Sequence, residues 1–302
     1  MKTLQEQGRI IALGFFDGVH LGHAALLRRV NELAAARNAV PAALTFDKLT
    51  TKTADGTPVP LLSTESDRVW LMESLYGIRE VEVLPFDKTL MELPWDRFIT
   101  DILRDRFHAV HVVAGHDYHF GWRGQGDPRK LAAKCAELGM GCDIIGRVEL
   151  DGVTVSSTYI RTLIAEGDVE RARRFLGHPH VLSGPVIHGK EVGRTMGIPT
   201  ANLRVPEGVV TPAFGVYAAL AVTEQGTYPA VTNVGVRPTL HDDRGVTVEP
   251  WLLDFRGDLY GQTIRVEFYR RLRGERRFAS LDELRAEILR NAEETRAYFA
   301  QT

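Results

Sequence analysis

The chain has 302 residues, of which 44% are hydrophobic and 25% charged, with a formal net charge of -2. That length favours roughly two domains, and the composition is that of a globular chain able to bury a real core. Near-neutral charge argues against broad attraction to nucleic acid or an anionic membrane, and no apolar run reaches the length of a membrane helix.

The opening Met1-Lys2-Thr3-Leu4-Gln5-Glu6-Gln7 lacks the apolar run of a secretory signal. Arg9 to Phe15 reads as a strand, then Ala24 to Arg37 as a helix with Leu26, Val30 and Leu33 on one face. Val40 to Phe46 is a second strand, and Ser63 or Thr64 caps a helix carrying Val69, Met72 and Leu75. Strands follow at Val81 to Leu84, Val110 to Ala114 and Cys142 to Val148, with helices at Pro94 and over 128–139 between them. Cys135 and Cys142 form no CxxC pair and read as buried free thiols, which points to a reducing cytoplasm. This alternation implies a parallel sheet with helices on both faces, and ligands then bind beyond the carboxyl ends of the strands.

After a short helix started by Asp168, the rhythm changes near Gly177-His178-Pro179-His180. Val181 to His188, Gly215 to Val222, Tyr228 to Val234, Val246 to Phe255 and Thr263 to Tyr269 read as strands separated by Gly, Pro and Asp turns. Such short, evenly spaced strands suggest a small closed barrel. Arg270-Arg271-Leu272-Arg273 and Arg276-Arg277 read as solvated faces. Ser280 and Glu283 form a capping box, and Leu281, Leu284, Ile288, Thr295 and Phe299 mark one face of a last helix.

Three segments carry chemistry. Gly14-Phe15-Phe16-Asp17-Gly18-Val19-His20-Leu21-Gly22-His23 joins the first strand to the first helix. Its glycines let backbone approach a phosphate, the helix start supplies free N–H groups, and His20 and His23 can reach the same anion. The plainer alternative is a glycine-rich turn with two surface histidines. Val155-Ser156-Ser157-Thr158-Tyr159-Ile160-Arg161 places hydroxyls at a helix start and Arg161 one turn inside, either a second phosphate clamp or an ordinary cap. Gly193-Arg194-Thr195-Met196-Gly197-Ile198-Pro199-Thr200-Ala201-Asn202 presents the neutral oxygens of Thr200 and Asn202 two residues apart, suited to a hydrated magnesium ion shared with phosphates. Glu249, about fifty residues on, is a candidate base for a substrate hydroxyl. His116 and His119 lack an evident third partner for a metal.

The motifs FDGVHLGH, GxDYxFG, VSSTxxR, GxxGIPTANL, NVGVRPT and the LLDFRGDLYG run after Glu249 span nearly the whole chain. Together they resemble the prokaryotic bifunctional riboflavin kinase/FMN adenylyltransferase family, also called FAD synthetase. The resemblance implies a Rossmann-like nucleotidyltransferase domain over 1–177, then a six-stranded kinase barrel with a C-terminal helix over 178–302. The substrates it implies are riboflavin, FMN and ATP, with Mg²⁺. In the kinase half Glu249 matches the base, Thr200 and Asn202 the Mg–ATP residues, and Gly189, Lys190, Gly193 and Arg237 fall in matching nucleotide motifs. In the other half the ATP-handling matches are Gly14, Phe15, Asp17, Gly18, His20, His23, Asp117, Ser156, Ser157, Thr158 and Arg161.

Two departures stand out. Asp47-Lys48-Leu49-Thr50 replaces an acidic residue followed by Pro-His-Pro, and Tyr159 stands where many members carry Arg. The first favours a kinase-only rival with a weak adenylyltransferase half. A flavin-binding regulator without turnover is a second rival, and another HxGH transferase, acting on pantetheine phosphate or choline phosphate, leaves the barrel unexplained. Self-association is left open.

Overall fold

The computed structural model describes residues 7–48, 56–188, 197–236 and 245–301. The chain forms two compact units, Met1–Val59 with Arg68–Ser156, and Pro60–Asp67 with Ser157–Thr302.

In the first unit, β1 (Arg9–Leu13), β2 (Val40–Phe46), β3 (Glu80–Leu84), β4 (Ala109–Gly115) and β5 (Gly141–Ile145) form a parallel sheet in the order β3-β2-β1-β4-β5. β1, β2 and β4 are near-continuous apolar runs because helices cover the sheet and leave no solvent face. Those helices are α1 (Leu21–Arg37), α2 (Glu65–Tyr76, with Arg68 onward in this unit), α3 (Lys88–Met91), α4 (Trp95–Arg97) and α5 (Pro128–Glu137). A π-helical stretch, Phe98–Arg106, continues α4 and sends Phe98, Ile99 and Leu103 into the sheet core beside Leu13, Leu44 and Val112. The expected strand Cys142 to Val148 ends at Ile145. Asp151 (φ 53) and Gly152 (φ 73) then close a small hairpin, β6 (Glu149–Leu150) with β7 (Val153–Thr154). Cys135 is buried as expected, but Cys142 is only half-buried, because β5 lies at the sheet edge.

The second unit holds α6 (Ser157–Glu166), α7 (Val169–Leu176) and a closed barrel. Its strands are β8 (His180–Ile187), β9 (Asn202–Arg204), β10 (Gly215–Thr223), β11 (Gly226–Val236), β12 (Val246–Leu252) and β13 (Thr263–Gly274), in the order β10-β11-β12-β9-β8-β13. The strand patterning gave five of these; β9, three residues long, is the sixth. α8 (Leu281–Ala300) follows, and the Ser280 hydroxyl caps it by accepting the Glu283 N–H at 3.2 Å. Of its expected face Thr295 is buried and Leu284, Ile288 and Phe299 are half-buried; the departure lies in Leu281 and in further buried residues. Leu281 is 66% exposed, while Glu287, Asn291 and Ala292 are buried as well.

Residues 60–67 complete this unit. The Leu61 N–H donates to the Gly208 carbonyl at 2.7 Å, and its own carbonyl accepts from Val210 at 2.8 Å. Asp67, 1% exposed, accepts hydrogen bonds from the Ser183 and Thr64 hydroxyls and lies 3.6 Å from Arg265. Removing that carboxylate leaves a buried hydroxyl and a cation without it. Arg265 keeps 30% side-chain exposure, so water offsets part of the loss. Asp67→Ala is expected to cost about 2–3 kcal/mol, read as a lower denaturant midpoint at unchanged slope.

His180 is 1% exposed, and its Nε2 lies 3.2 Å from the Val210 carbonyl. Burial pushes its pKa down to about 4, the Val210 bond opposing and His178 adding to the fall. An unfolded histidine titrates near 6.5. Between those values the unfolded chain binds a proton that the folded one refuses, so stability is full above pH 6.5 and falls as pH drops to about 4. The loss is expected to be about 3 kcal/mol. Unfolding midpoints at a series of pH values, with His180→Gln removing this share of the dependence, measure it.

Candidate active sites

In the sheet order β3-β2-β1-β4-β5 the chain leaves β1 toward one edge and returns to β4 on its other side, opening a crevice at their carboxyl ends. The turn after β1 occupies it. Phe16 sits at φ 59, Gly18 at φ 74 and the β-branched Val19 at φ 43, a strained path held by the Val19 N–H to Phe16 carbonyl bond at 3.0 Å. A Cβ on Gly14 would lie 3.2 Å from the Phe16 ring, so a larger residue there needs that ring to give by a few tenths of an ångström. Asp17, Val19 and His20 are all buried, and Phe15 is held through its carbonyl, which accepts from Thr45 at 2.8 Å.

His20 is the N-cap of α1: its Nδ1 accepts the His23 N–H at 3.4 Å, which puts the ring hydrogen on Nε2. The His20 and His23 rings stack with centroids 3.7 Å apart, and Phe16 packs edge-on against His23 at 5.2 Å. Burial holds the His23 imidazole well below its usual pKa, with His20 and then Arg68 adding to the fall. His23 is therefore neutral at pH 7. Arg68 was invisible as a site residue in the sequence, where it is one more charge on an amphipathic helix. It is fully buried, with its guanidinium 4.2 Å over the Phe15 ring and Nη2 donating to the Phe46 carbonyl at 2.7 Å.

Across the crevice, the loop after β4 starts where the His116 N–H bonds the Ile145 carbonyl at 2.9 Å. The Asp117 side chain is 82% exposed, with its oxygen 3.9 Å from His116 Nδ1. Tyr118 and Phe120 stack at 5.4 Å and turn into the core. The Val155 carbonyl comes within 4.0 Å of where a Cβ on Gly22 would stand, so Ser156 follows directly beside the start of α1. In the second unit Ser157 and Thr158 open α6, and Arg161 Nη1 donates to the Thr158 hydroxyl at 3.4 Å. Tyr159 packs edge-on against Phe175 at 5.0 Å, with the Arg171 guanidinium over it at 5.7 Å. Of the altered segment, Asp47 accepts the Phe86 N–H at 2.8 Å; Leu49 and Thr50 lie outside the described residues.

The barrel carries two cavities. One, of about 740 Å³, runs between the Gly197–Asn202 turn and the loop from Phe255 to Tyr260. The other, of about 710 Å³, lies between the outer wall of the barrel and α8 and holds Glu249, Asn233, Trp251 and Ile288. Thr200 borders both. The Ala201 N–H donates to the Pro250 carbonyl at 2.9 Å, pinning the turn one residue beyond Glu249. On β12, Val248, Pro250 and Leu252 are buried while Thr247, Glu249 and Trp251 take the alternate face. Register extends that face. Glu249 pairs with Asn233, Asn233 with Val216 and Val216 with Arg273, a row across four strands whose members all line the second cavity. Thr200, Asn202 and Glu249 are thus gathered at adjoining cavities. Gly189, Lys190, Gly193 and Arg237 lie outside the described residues. Among the described residues no cluster of three or more His, Cys, Asp or Glu is placed to hold a metal.

A family model described as FAD synthetase matches residues 2–159, and one described as riboflavin kinase matches 176–299. The bifunctional riboflavin kinase/FMN adenylyltransferase of Listeria monocytogenes is 35% identical, over 97% of this chain and 93% of its own. That of Escherichia coli is 36% identical over 100% and 96%. A crystal structure described as a macrolide-efflux protein from Streptococcus pneumoniae superposes with a TM-score of 0.82 at 28% identity, covering 98% of this chain and 97% of that one. Among the described residues no helix is long and apolar enough to cross a membrane. The matches place the chain among the transferases. It belongs to the bifunctional riboflavin kinase/FMN adenylyltransferase family.

Proposed function

We propose that the chain phosphorylates riboflavin to FMN with ATP in its barrel half and adenylylates FMN to FAD, releasing pyrophosphate, in its α/β half. The division of labour follows 1–177 and 178–302. The observation that carries the kinase reading is Thr200, which borders both barrel cavities, one of them holding Glu249. A triphosphate in the first cavity and a flavin in the second then meet at one side chain.

In the kinase half, Glu249 accepts the proton of the ribityl 5′-hydroxyl as that oxygen attacks the γ-phosphorus, and ADP departs. Gly189, Lys190, Gly193 and Arg237 contribute to holding the nucleotide. Thr200 and Asn202 fit a magnesium ion: both offer neutral oxygens, and the same cavity adds Asp258. Bound there, the ion would neutralise charge on the phosphates.

In the α/β half, FMN already carries an ionised phosphate, so the site needs alignment and charge stabilisation rather than a base. Gly14, Phe15, Asp17 and Gly18 shape the phosphate turn. His20 donates through Nε2 to the α-phosphate, with His23 behind it. Ser156, Ser157, Thr158 and Arg161 hold the leaving pyrophosphate, and Asp117 contacts the nucleotide. The reaction is assigned to the cytoplasm, where riboflavin, FMN and ATP are the partners.

Chromatography of products from riboflavin, ATP and Mg²⁺ tests the whole reading. FMN followed by FAD is expected. FMN alone supports the kinase-only reading, which the altered 47–50 segment favours. Absence of ADP formation leaves a flavin-binding regulator.

A further inference from the structure

Glu287, on α8, is a buried carboxylate, 5% exposed. Three guanidiniums converge on it. Arg276 and Arg290 lie 3.0 Å away and Arg273 3.5 Å away. Arg273 is held further by Asn291 Oδ1 at 3.1 Å and by the Gly274 carbonyl at 3.2 Å. Arg276 lies over the Phe278 ring at 4.6 Å.

Two of these cations, Arg273 and Arg276, line the same cavity as Glu249, and Glu287 does not line it. Arg273 stands at one end of the four-strand row and Glu249 at the other, with Val216 and Asn233 between. Three strand spacings separate their backbones, about 14 Å. An arginine and a glutamate swung toward each other over the small Val216 close much of that gap. A half-buried cavity strengthens such an attraction, and a carboxylate engaged by a guanidinium is a weaker base. Glu249 makes no ion pair with any described residue.

We infer that Glu287 is a positioning residue of the kinase half: it draws Arg273 and Arg276 to the α8 side of the cavity, keeping both guanidiniums off Glu249 and the row between them open to the flavin. The inference rests on the kinase reading of this cavity.

The test uses the full chain with Glu287→Gln, which keeps volume and one acceptor. Riboflavin phosphorylation is followed by steady-state kinetics, with FMN adenylylation by the same preparation as control. The kinase kcat is expected to fall about tenfold or more, with the KM for ATP and the adenylylation rate unchanged. Adding Arg273→Gln or Arg276→Gln to Glu287→Gln is expected to return kcat to within about threefold of the wild type. Full kinase activity in Glu287→Gln overturns the inference. So does a loss that neither arginine substitution repairs and that tracks a lower unfolding midpoint, since the carboxylate then serves stability alone. A wild-type chain that forms no FMN overturns the kinase reading itself.

Discussion

Replacing Glu249 with Gln is expected to lower riboflavin phosphorylation by roughly 10²–10⁴-fold. FMN adenylylation by the same preparation should be unchanged. The amide keeps the volume and a hydrogen-bond acceptor, so the cavity between barrel and α8 keeps its shape while the proton acceptor is gone. A sugar-like hydroxyl is a poor nucleophile without a base, which is why the effect is placed on kcat. The position itself is well fixed. Glu249 pairs with Asn233 in the barrel ladder, and its neighbour Pro250 is tied to the PTAN turn through Ala201. Equal loss of both activities would indicate a damaged fold or a wrong assignment.

The second large effect is expected in the other half. His20→Asn should lower adenylyl transfer from ATP to FMN by about 10²–10³-fold, the scale of losing one aimed donor at a developing charge. Asparagine is the informative choice because His20 also caps α1. An alanine there would cost about 1 kcal/mol of helix stability besides, whereas asparagine is itself a favoured cap. The unfolding midpoint should therefore hold while the rate falls, and riboflavin phosphorylation should hold as well. Retained adenylyl transfer would remove His20 from the chemistry and leave it as a helix cap.

The sheet and most of the barrel were legible because their signals are local. Runs such as RIIAL and VPAALTF are nearly continuous apolar stretches, as strands covered on both faces tend to be. Elements that depend on distant partners were not. β9 is three residues long and exists through its pairing with β8 and β12. The Asp151-Gly152 pair was a local signal for a hairpin and went unread; the strand was instead continued to Val148. The approach to α8 shows another long-range effect. The arginines just before it read as solvated faces, yet Arg273 and Arg276 converge with Arg290 on the buried Glu287.

Of the candidate site residues in short ordered motifs, His20 and His23 stack, and Thr200 borders both the cavity lined by Asn202 and the one lined by Glu249. Arg68 was missed for a physical reason. Nothing in the amphipathic pattern of α2 distinguishes a guanidinium that will lie over Phe15 from one that will face water.

A threonine that serves as the party wall of two chambers makes their tenants interdependent. Where filling one chamber shifts Thr200 for the other, thermodynamic linkage makes the influence of each occupant on the other equal. On the reading proposed above, with the phosphate donor in one chamber and the vitamin in the other, a change at this position is felt at both.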